Sequence, residues 1–213
     1  MNADLITFVI SVAAGYLLGS VPSAVWAGKI FHGIDIREHG SGNAGATNVI
    51  RVLGWKTGIP VMLADIAKGW FAALLPHLLN AAGKGSSLEI NMMIVAGLAA
   101  IAGHVYPVFA GFRGGKGVGT TVGVLIALNP LLTLSCLGVF LAVLLITGYV
   151  SVSSMSFGIS FPLLLFTLFD TPSVIFKIFS VFIAIALIYT HRSNIIRLIR
   201  GEESKFIKRK KKQ

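Results

Sequence analysis

Residues 118–169 read VGTTVGVLIALNPLLTLSCLGVFLAVLLITGYVSVSSMSFGISFPLLLFTLF, without a single Asp, Glu, Lys or Arg. A soluble domain carries roughly 25% charged residues, so an uncharged run of this length belongs in the hydrocarbon of a bilayer. A spanning helix needs about 20 apolar residues at ~1.5 Å each, and the run supplies two to three of them. Asn129-Pro130 and the small polar stretch 148–154 interrupt it. Both are helix-breaking signals, and they divide the run into three short helices.

The same reading extends outward. Residues 5–28, 90–109 and 173–190 each form an apolar stretch with at most one charge, and 57–79 forms another apart from Asp65 and Lys68. The whole chain has 213 residues, of which 55% are hydrophobic and 12% charged, with a mean hydropathy of +0.84. The expected fold is an all-α integral membrane protein of about seven transmembrane helices. It forms a single polytopic domain over 1–213, with a short basic tail at 204–213. Met1-Asn2-Ala3-Asp4 lacks the basic segment of a cleavable signal peptide, so the first span is expected to be retained. Cys136 is alone, which excludes a disulfide framework and a thiolate metal site.

Basic residues set the expected orientation. Lys29, Arg37, Arg51 and Lys56 fall in one loop, Arg113 and Lys116 in another, and nine more Lys and Arg follow from Arg192 onward. The opposite side carries only Lys84 and Lys177, beside Asp4, Glu89 and Asp170. Seven helices with the N-terminus outside and the C-terminus cytoplasmic place all three basic regions on the cytoplasmic face. The formal net charge of +10 then reflects a juxtamembrane cluster at 208–212 that favours anionic lipid. Nucleic-acid binding is excluded because no soluble domain presents the patch.

Polar residues gather in islands on that face: 37–51, 103–120, 191–203 and, more weakly, Ser151 to Ser154. Polar groups near a bilayer are costly unless each other or a ligand satisfies them, so the islands are expected to converge on one site. In Arg113-Gly114-Gly115-Lys116-Gly117, bare glycines let backbone amides approach an anion, and Lys116 adds a full charge. Ala110 and Gly117 replace the first glycine and the metal-binding hydroxyl of a nucleotide P-loop, so nucleotide hydrolysis is excluded.

Gly40-Ser41-Gly42-Asn43-Ala44-Gly45 matches a dinucleotide fingerprint only in letters, because membrane spans flank it where a strand and a helix should. Its better reading is a tight loop turning Ser41, Gly42, Asn43, Thr47 and Asn48 toward a ligand. Arg51 closes it, either as a bidentate anion ligand or as a snorkelling interfacial side chain. His191 and Asn194 share a helix face. Glu203 is expected to partner a nearby arginine. Asp65 and Lys68, three apart within a span, are expected to pair with each other as structural support. His104, at the apolar end of a span, reads more readily as structural than as catalytic. No clustered carboxylates, His-Glu-x-x-His pattern or nucleophile elbow is present, so no metal or cofactor is expected.

Three stretches together carry a resemblance. They are Gly40-Ser-Gly-Asn-Ala-Gly-Ala-Thr-Asn-Val-Ile-Arg51, Gly103-His-Val-Tyr-Pro-Val-Phe-Ala-Gly-Phe-Arg-Gly-Gly-Lys-Gly-Val-Gly-Thr120 and His191-Arg-Ser-Asn-Ile-Ile-Arg-Leu-Ile-Arg-Gly-Glu-Glu203. In these motifs the chain resembles the bacterial acyl-phosphate:glycerol-3-phosphate acyltransferases, the PlsY family. The resemblance implies a plasma-membrane enzyme that acylates position 1 of sn-glycerol 3-phosphate from acyl phosphate, without acyl-CoA, giving lysophosphatidic acid and inorganic phosphate at the start of phospholipid synthesis. It implies that Ser41 and Arg51 are required, and that Gly114, Gly115, Lys116 and Gly117 form the phosphate loop. It also implies that His191 and Asn194 are functional, that Glu203 is structural, and that Ser154 contacts substrate.

Acyl phosphate is a mixed anhydride with a good leaving group, so positioning and charge stabilisation suffice. The hydroxyl proton passes either to the donor phosphate or to His191. The competing class is a transporter or channel for phosphate or another small anion, which broken helices with basic loops would suit.

Overall fold

A computed structural model describes residues 3–169 and 173–207, with side chains from Leu5 onward. The basic cluster at 208–212, Asp170 and the side chain of Asp4 lie outside the described residues. The regular elements are all helical: α1 (Ala3–Gly19), α2 (Ser23–His32), α3 (Ala46–Leu53), α4 (Trp55–Leu78), α5 (Ser87–Val105), α6 (Val118–Leu128), α7 (Pro130–Thr147), α8 (Val150–Thr167), α9 (Val174–Thr190) and α10 (Arg192–Ile199). Short 3-10 turns lie at Ile36–Glu38 and Val108–Ala110.

The uncharged run divides where its sequence breaks. Asn129 is extended (φ −155°, ψ 90°), as a residue before proline is driven to be, and Pro130 opens α7, where its missing N–H costs nothing. Gly148 ends α7 in the left-handed region (φ +76°).

Five stretches are long and apolar enough to span: Leu5–His32, Trp55–Leu78, Ser87–Ala110, Pro130–Thr147 and Val150–Thr167. Val174–Thr190 with Arg192–Ile199 makes a sixth, bent by 54°. α6 has only 11 residues. At ~1.5 Å each it falls short of a hydrocarbon layer of about 30 Å, and a count of seven requires it to cross.

The chain folds as two compact units, Met1–Pro130 and Leu131–Gln213. In the first, α4 is central and packs on α1, α3, α5 and α6, while α1 packs on α5. These contacts are made by small residues that let backbones meet, the membrane substitute for a hydrophobic driving force. A Cβ on Gly19 would run into Ala100, one on Gly69 into the Thr120 carbonyl, and one on Gly123 into the Ile66 carbonyl. In the second unit, α8 and α9 close around Phe157, Phe161, Phe176 and Phe179, all buried. The Phe161 and Phe176 rings meet edge to face at 5.8 Å.

Gly69→Val should therefore destabilise the protein by about 1–3 kcal/mol through overpacking. Gly83→Ala, in a loop where an added Cβ meets nothing within 4 Å, should not. Thermal unfolding in detergent compares the two.

Candidate active site

The first motif loop is built from a carboxylate outward. Asp35 Oδ1 accepts from Arg37 N (3.1 Å) and Nε (2.9 Å), Oδ2 accepts from Nη2 (2.7 Å), and Lys29 Nζ lies 3.4 Å away. The Arg37 guanidinium holds the Asp35 carboxyl well below the usual carboxylate range, against the opposing effect of burial. Arg37 Nη1 is left to donate to the carbonyls of Ala110 (2.8 Å) and Arg113 (3.4 Å), so one side chain ties the first motif loop to the second. Sequence reading missed this clasp, since nothing local distinguishes Arg37 from any other loop arginine.

Asn48, expected to face the substrate, is instead used by the loop itself. It is 1% exposed. Its Nδ2 donates to Ile36 O (3.1 Å) and His39 O (2.9 Å), and its Oδ1 accepts from Ser41 N (2.9 Å). Both donors of the amide are used, which is what a buried asparagine requires. Gly40 sits against it at φ +62°, where a Cβ would run into Asn48 Oδ1. Ser41, Gly42 and Arg51 are exposed, with Asn43 and Thr47 half-buried. Among the described residues, the exposed Arg51 guanidinium has no hydrogen-bond or ion-pair partner, so it is available to an anion.

The second loop also differs from expectation. The amides of Gly114 and Gly115, expected to cradle an anion, donate back to Val105 O and His104 O, each at 3.2 Å. Their glycine character serves close approach instead. A Cβ on Gly114 would run into the His104 carbonyl; one on Gly115 would run into His104 Nε2 and lie 2.8 Å from Ala44 O. Gly115 thus packs against the first motif loop. Gly117, at φ +79°, turns the chain into α6. The first-turn amides of that helix, from 118 to 120, have no intrahelical acceptor, so the donors for an anion lie just beyond half-buried Lys116.

Asp65 and Lys68 pair as expected, at 2.8 Å, with Lys68 Nζ also donating to Val21 O at 2.9 Å. His104 Nδ1 lies 3.6 Å from the same Asp65 oxygen, a neighbourhood the sequence did not reveal. Among the described residues, no three His, Cys, Asp or Glu side chains gather as metal ligands would.

The second unit holds the third motif. His191 sits at the bend between α9 and α10, 3% exposed. Its Nδ1 meets Leu187 O at 2.7 Å. A carbonyl only accepts, so Nδ1 carries the proton and a neutral ring keeps its lone pair on Nε2.

Glu203 gathers three donors. Ser151 Oγ (2.8 Å) and Asn194 Nδ2 (2.7 Å) reach Oε1, and Arg197 Nε (2.8 Å) reaches Oε2. The predicted arginine partner is therefore Arg197, and the carboxylate also fixes the orientation of Asn194. Burial pushes the Glu203 carboxyl up. The bonds from Arg197, Asn194 and Ser151, with the Arg197 charge, outweigh it and hold the group below its ordinary range. Ser154 is buried and its Oγ donates to Val150 O at 2.8 Å. Within that serine island it is Ser151, not Ser154, that joins the motif.

Apolar helices whose loops bear Arg51 and Lys116 on a glycine-built backbone define a multi-pass membrane protein with cationic side chains on its loops. Residues 9–201 match the family described as glycerol-3-phosphate acyltransferase, and the chain belongs to that family. It is 43% identical to the glycerol-3-phosphate acyltransferase of Chlorobaculum tepidum, over 94% of this chain and 97% of that one. It is 41% identical to that of Chlorobaculum parvum over the same shares. Among solved structures it is similar to PlsY, an integral membrane glycerol 3-phosphate acyltransferase. The glycerol 3-phosphate form has a TM-score of 0.81 at 38% identity, over 97% of this chain and 96% of that one. The lysophosphatidic acid form has 0.79 at 37%, over 93% and 94%.

Two stability outcomes follow. Asn48→Ala leaves buried loop groups unpaired at about 1–3 kcal/mol each and should lower the unfolding temperature in detergent, whereas Ser41→Ala, at an exposed side chain, should leave it near wild type. Glu203, with its folded pKa depressed, stabilises the fold above its unfolded pKa of about 4.3; that stability is lost as pH falls through the lower folded value. Glu203→Gln should therefore unfold more easily at pH 7, by roughly 1.5–3 kcal/mol, and lose less on acidification below pH ~4.3 than wild type in a pH series of melting curves.

Proposed function

We propose that this chain transfers a fatty acyl group from acyl phosphate to the 1-hydroxyl of sn-glycerol 3-phosphate, releasing lysophosphatidic acid and inorganic phosphate. The observation that carries the reading is the joining of two anion-suited loops. Arg37 bonds the Ala110 carbonyl and Gly115 packs on Ala44, so the segments bearing Ser41 and Lys116 are neighbours. Family membership and relatives whose solved forms hold glycerol 3-phosphate and lysophosphatidic acid support the acceptor and the product.

In this reading Lys116, the first turn of α6 and Arg51 hold phosphate groups, with Ser41, Gly42, Asn43 and Thr47 at the rim. The acceptor hydroxyl oxygen bonds to the acyl carbonyl carbon, and the bond from that carbon to the phosphate oxygen breaks. Inorganic phosphate departs with the electron pair and takes the hydroxyl proton. His191, in the second unit, has the tautomer that a proton acceptor needs, with Nε2 unprotonated when neutral. The protein lies in the bacterial plasma membrane, with its basic loops on the cytoplasmic face by the positive-inside bias.

Purified protein given acyl phosphate and labelled glycerol 3-phosphate should form lysophosphatidic acid, and acyl-CoA in its place should yield none. Lys116→Ala should lower the rate about 10²–10³-fold, the usual worth of one transition-state donor, while still inserting into membranes. Equal turnover from acyl-CoA would overturn the donor assignment. Phosphate flux through liposomes without any acyl donor would instead favour a transporter.

A further inference from the structure

The mechanism uses Arg51, Lys116 and the glycine loops, yet three ionisable side chains beneath them remain without a task. Asp65 is 4% exposed, Lys68 8% and His104 6%, all on apolar spans. Ionisable groups in a span are expensive and belong to function by default. The Asp65–Lys68 pair, closed by Val21 O, satisfies itself. His104 does not complete that pair. Among the described residues its buried Nδ1 has no hydrogen-bond partner, and it stands 3.6 Å from Asp65 Oδ1.

The other edge of the ring decides the matter. A Cβ on Gly115 would run into His104 Nε2 and would lie 2.8 Å from Ala44 O, so the ring edge and the first motif loop both border the bare face of Gly115. The ring therefore stands at the seam where the two motif loops meet. The main chain repeats the contact, with Gly115 N donating to His104 O and Gly114 N to Val105 O. One pocket is lined by Ser23, Ala44, Asp65, Lys68, His104 and Gly115 among others.

Resting on the acyltransferase reading, we propose that His104 is the positioning residue for the glycerol 3-phosphate site. It props Gly115 and Lys116 against the first motif loop, and Asp65, locked by Lys68, is the charged footing that faces the ring's other edge at 3.6 Å. A histidine that merely filled volume would be replaceable by any side chain of similar size. Backbone carbonyls border this seam, so a polar edge suits the Nε2 position, which the glutamine amide can supply and leucine cannot.

The test compares His104→Leu and His104→Gln, with glycerol 3-phosphate as the varied ligand in turnover and in a thermal-shift binding titration. His104→Leu should raise KM and Kd for glycerol 3-phosphate about tenfold, roughly 1.4 kcal/mol of lost binding. Its kcat and its KM for acyl phosphate should stay close to wild type, and His104→Gln should restore the acceptor affinity. The double variant Asp65→Asn/Lys68→Met removes the footing without leaving a buried charge, and it should reproduce the leucine phenotype.

Wild-type acceptor affinity in His104→Leu overturns the proposal. So does a uniform fall of kcat with both KM values, or a glutamine variant no better than leucine. Wild-type protein that binds glycerol 3-phosphate but does not acylate it from acyl phosphate overturns the reaction assignment alone, and the Kd comparison still decides the role of His104. Wild-type protein that binds no glycerol 3-phosphate overturns both.

Discussion

A polar group sealed from water costs free energy until it finds a hydrogen-bond partner, in a loop beside the bilayer as well as within it. This constraint shapes all three motif segments. Asp35 grips Arg37 on two edges, and only the one guanidinium nitrogen left over crosses to the second loop. Asn48 satisfies two carbonyls and an amide of its own loop from a position sealed off from solvent. Glu203 collects a serine, an asparagine and an arginine around one carboxylate. Each loop satisfies its interior first, and the groups that remain outward, Ser41 and Arg51 among them, are those a ligand can reach.

The legible parts of the sequence were the local ones. Asn129-Pro130 and Gly148 divide the uncharged run because the residue before a proline and a left-handed glycine act on their own backbone, with no distant partner needed. The Asp65–Lys68 pair was legible because a three-residue spacing brings the two together on any helix. Arg37, Ser151 and the neighbourhood of His104 were not legible, since their partners lie 73, 52 and 39 residues away along the chain. Asn48 misled for a related reason. An amide in a glycine-rich loop serves a ligand or the loop equally well by composition, and only burial separates the two uses.

Glycine shows how one residue type carries two different arguments. Gly19, Gly69 and Gly123 bring helices together, because side chains there would collide with facing backbone. Gly114 and Gly115 look from the sequence like amide donors to a phosphate, yet their amides are held by α5 carbonyls and their bare faces admit His104 and Ala44. The loop is therefore a spacer that sets how far Lys116 and the start of α6 stand from the first motif. A carbonyl-bonded amide cannot donate to an incoming anion without breaking its present bond, whereas the first-turn amides of α6 lose nothing in doing so. The electrostatics point the same way, since the partial positive charge of the α6 N-terminus adds to that of Lys116 at one place. An anion bound there gains both, and packing around Gly115 sets how far that place stands from the first motif loop.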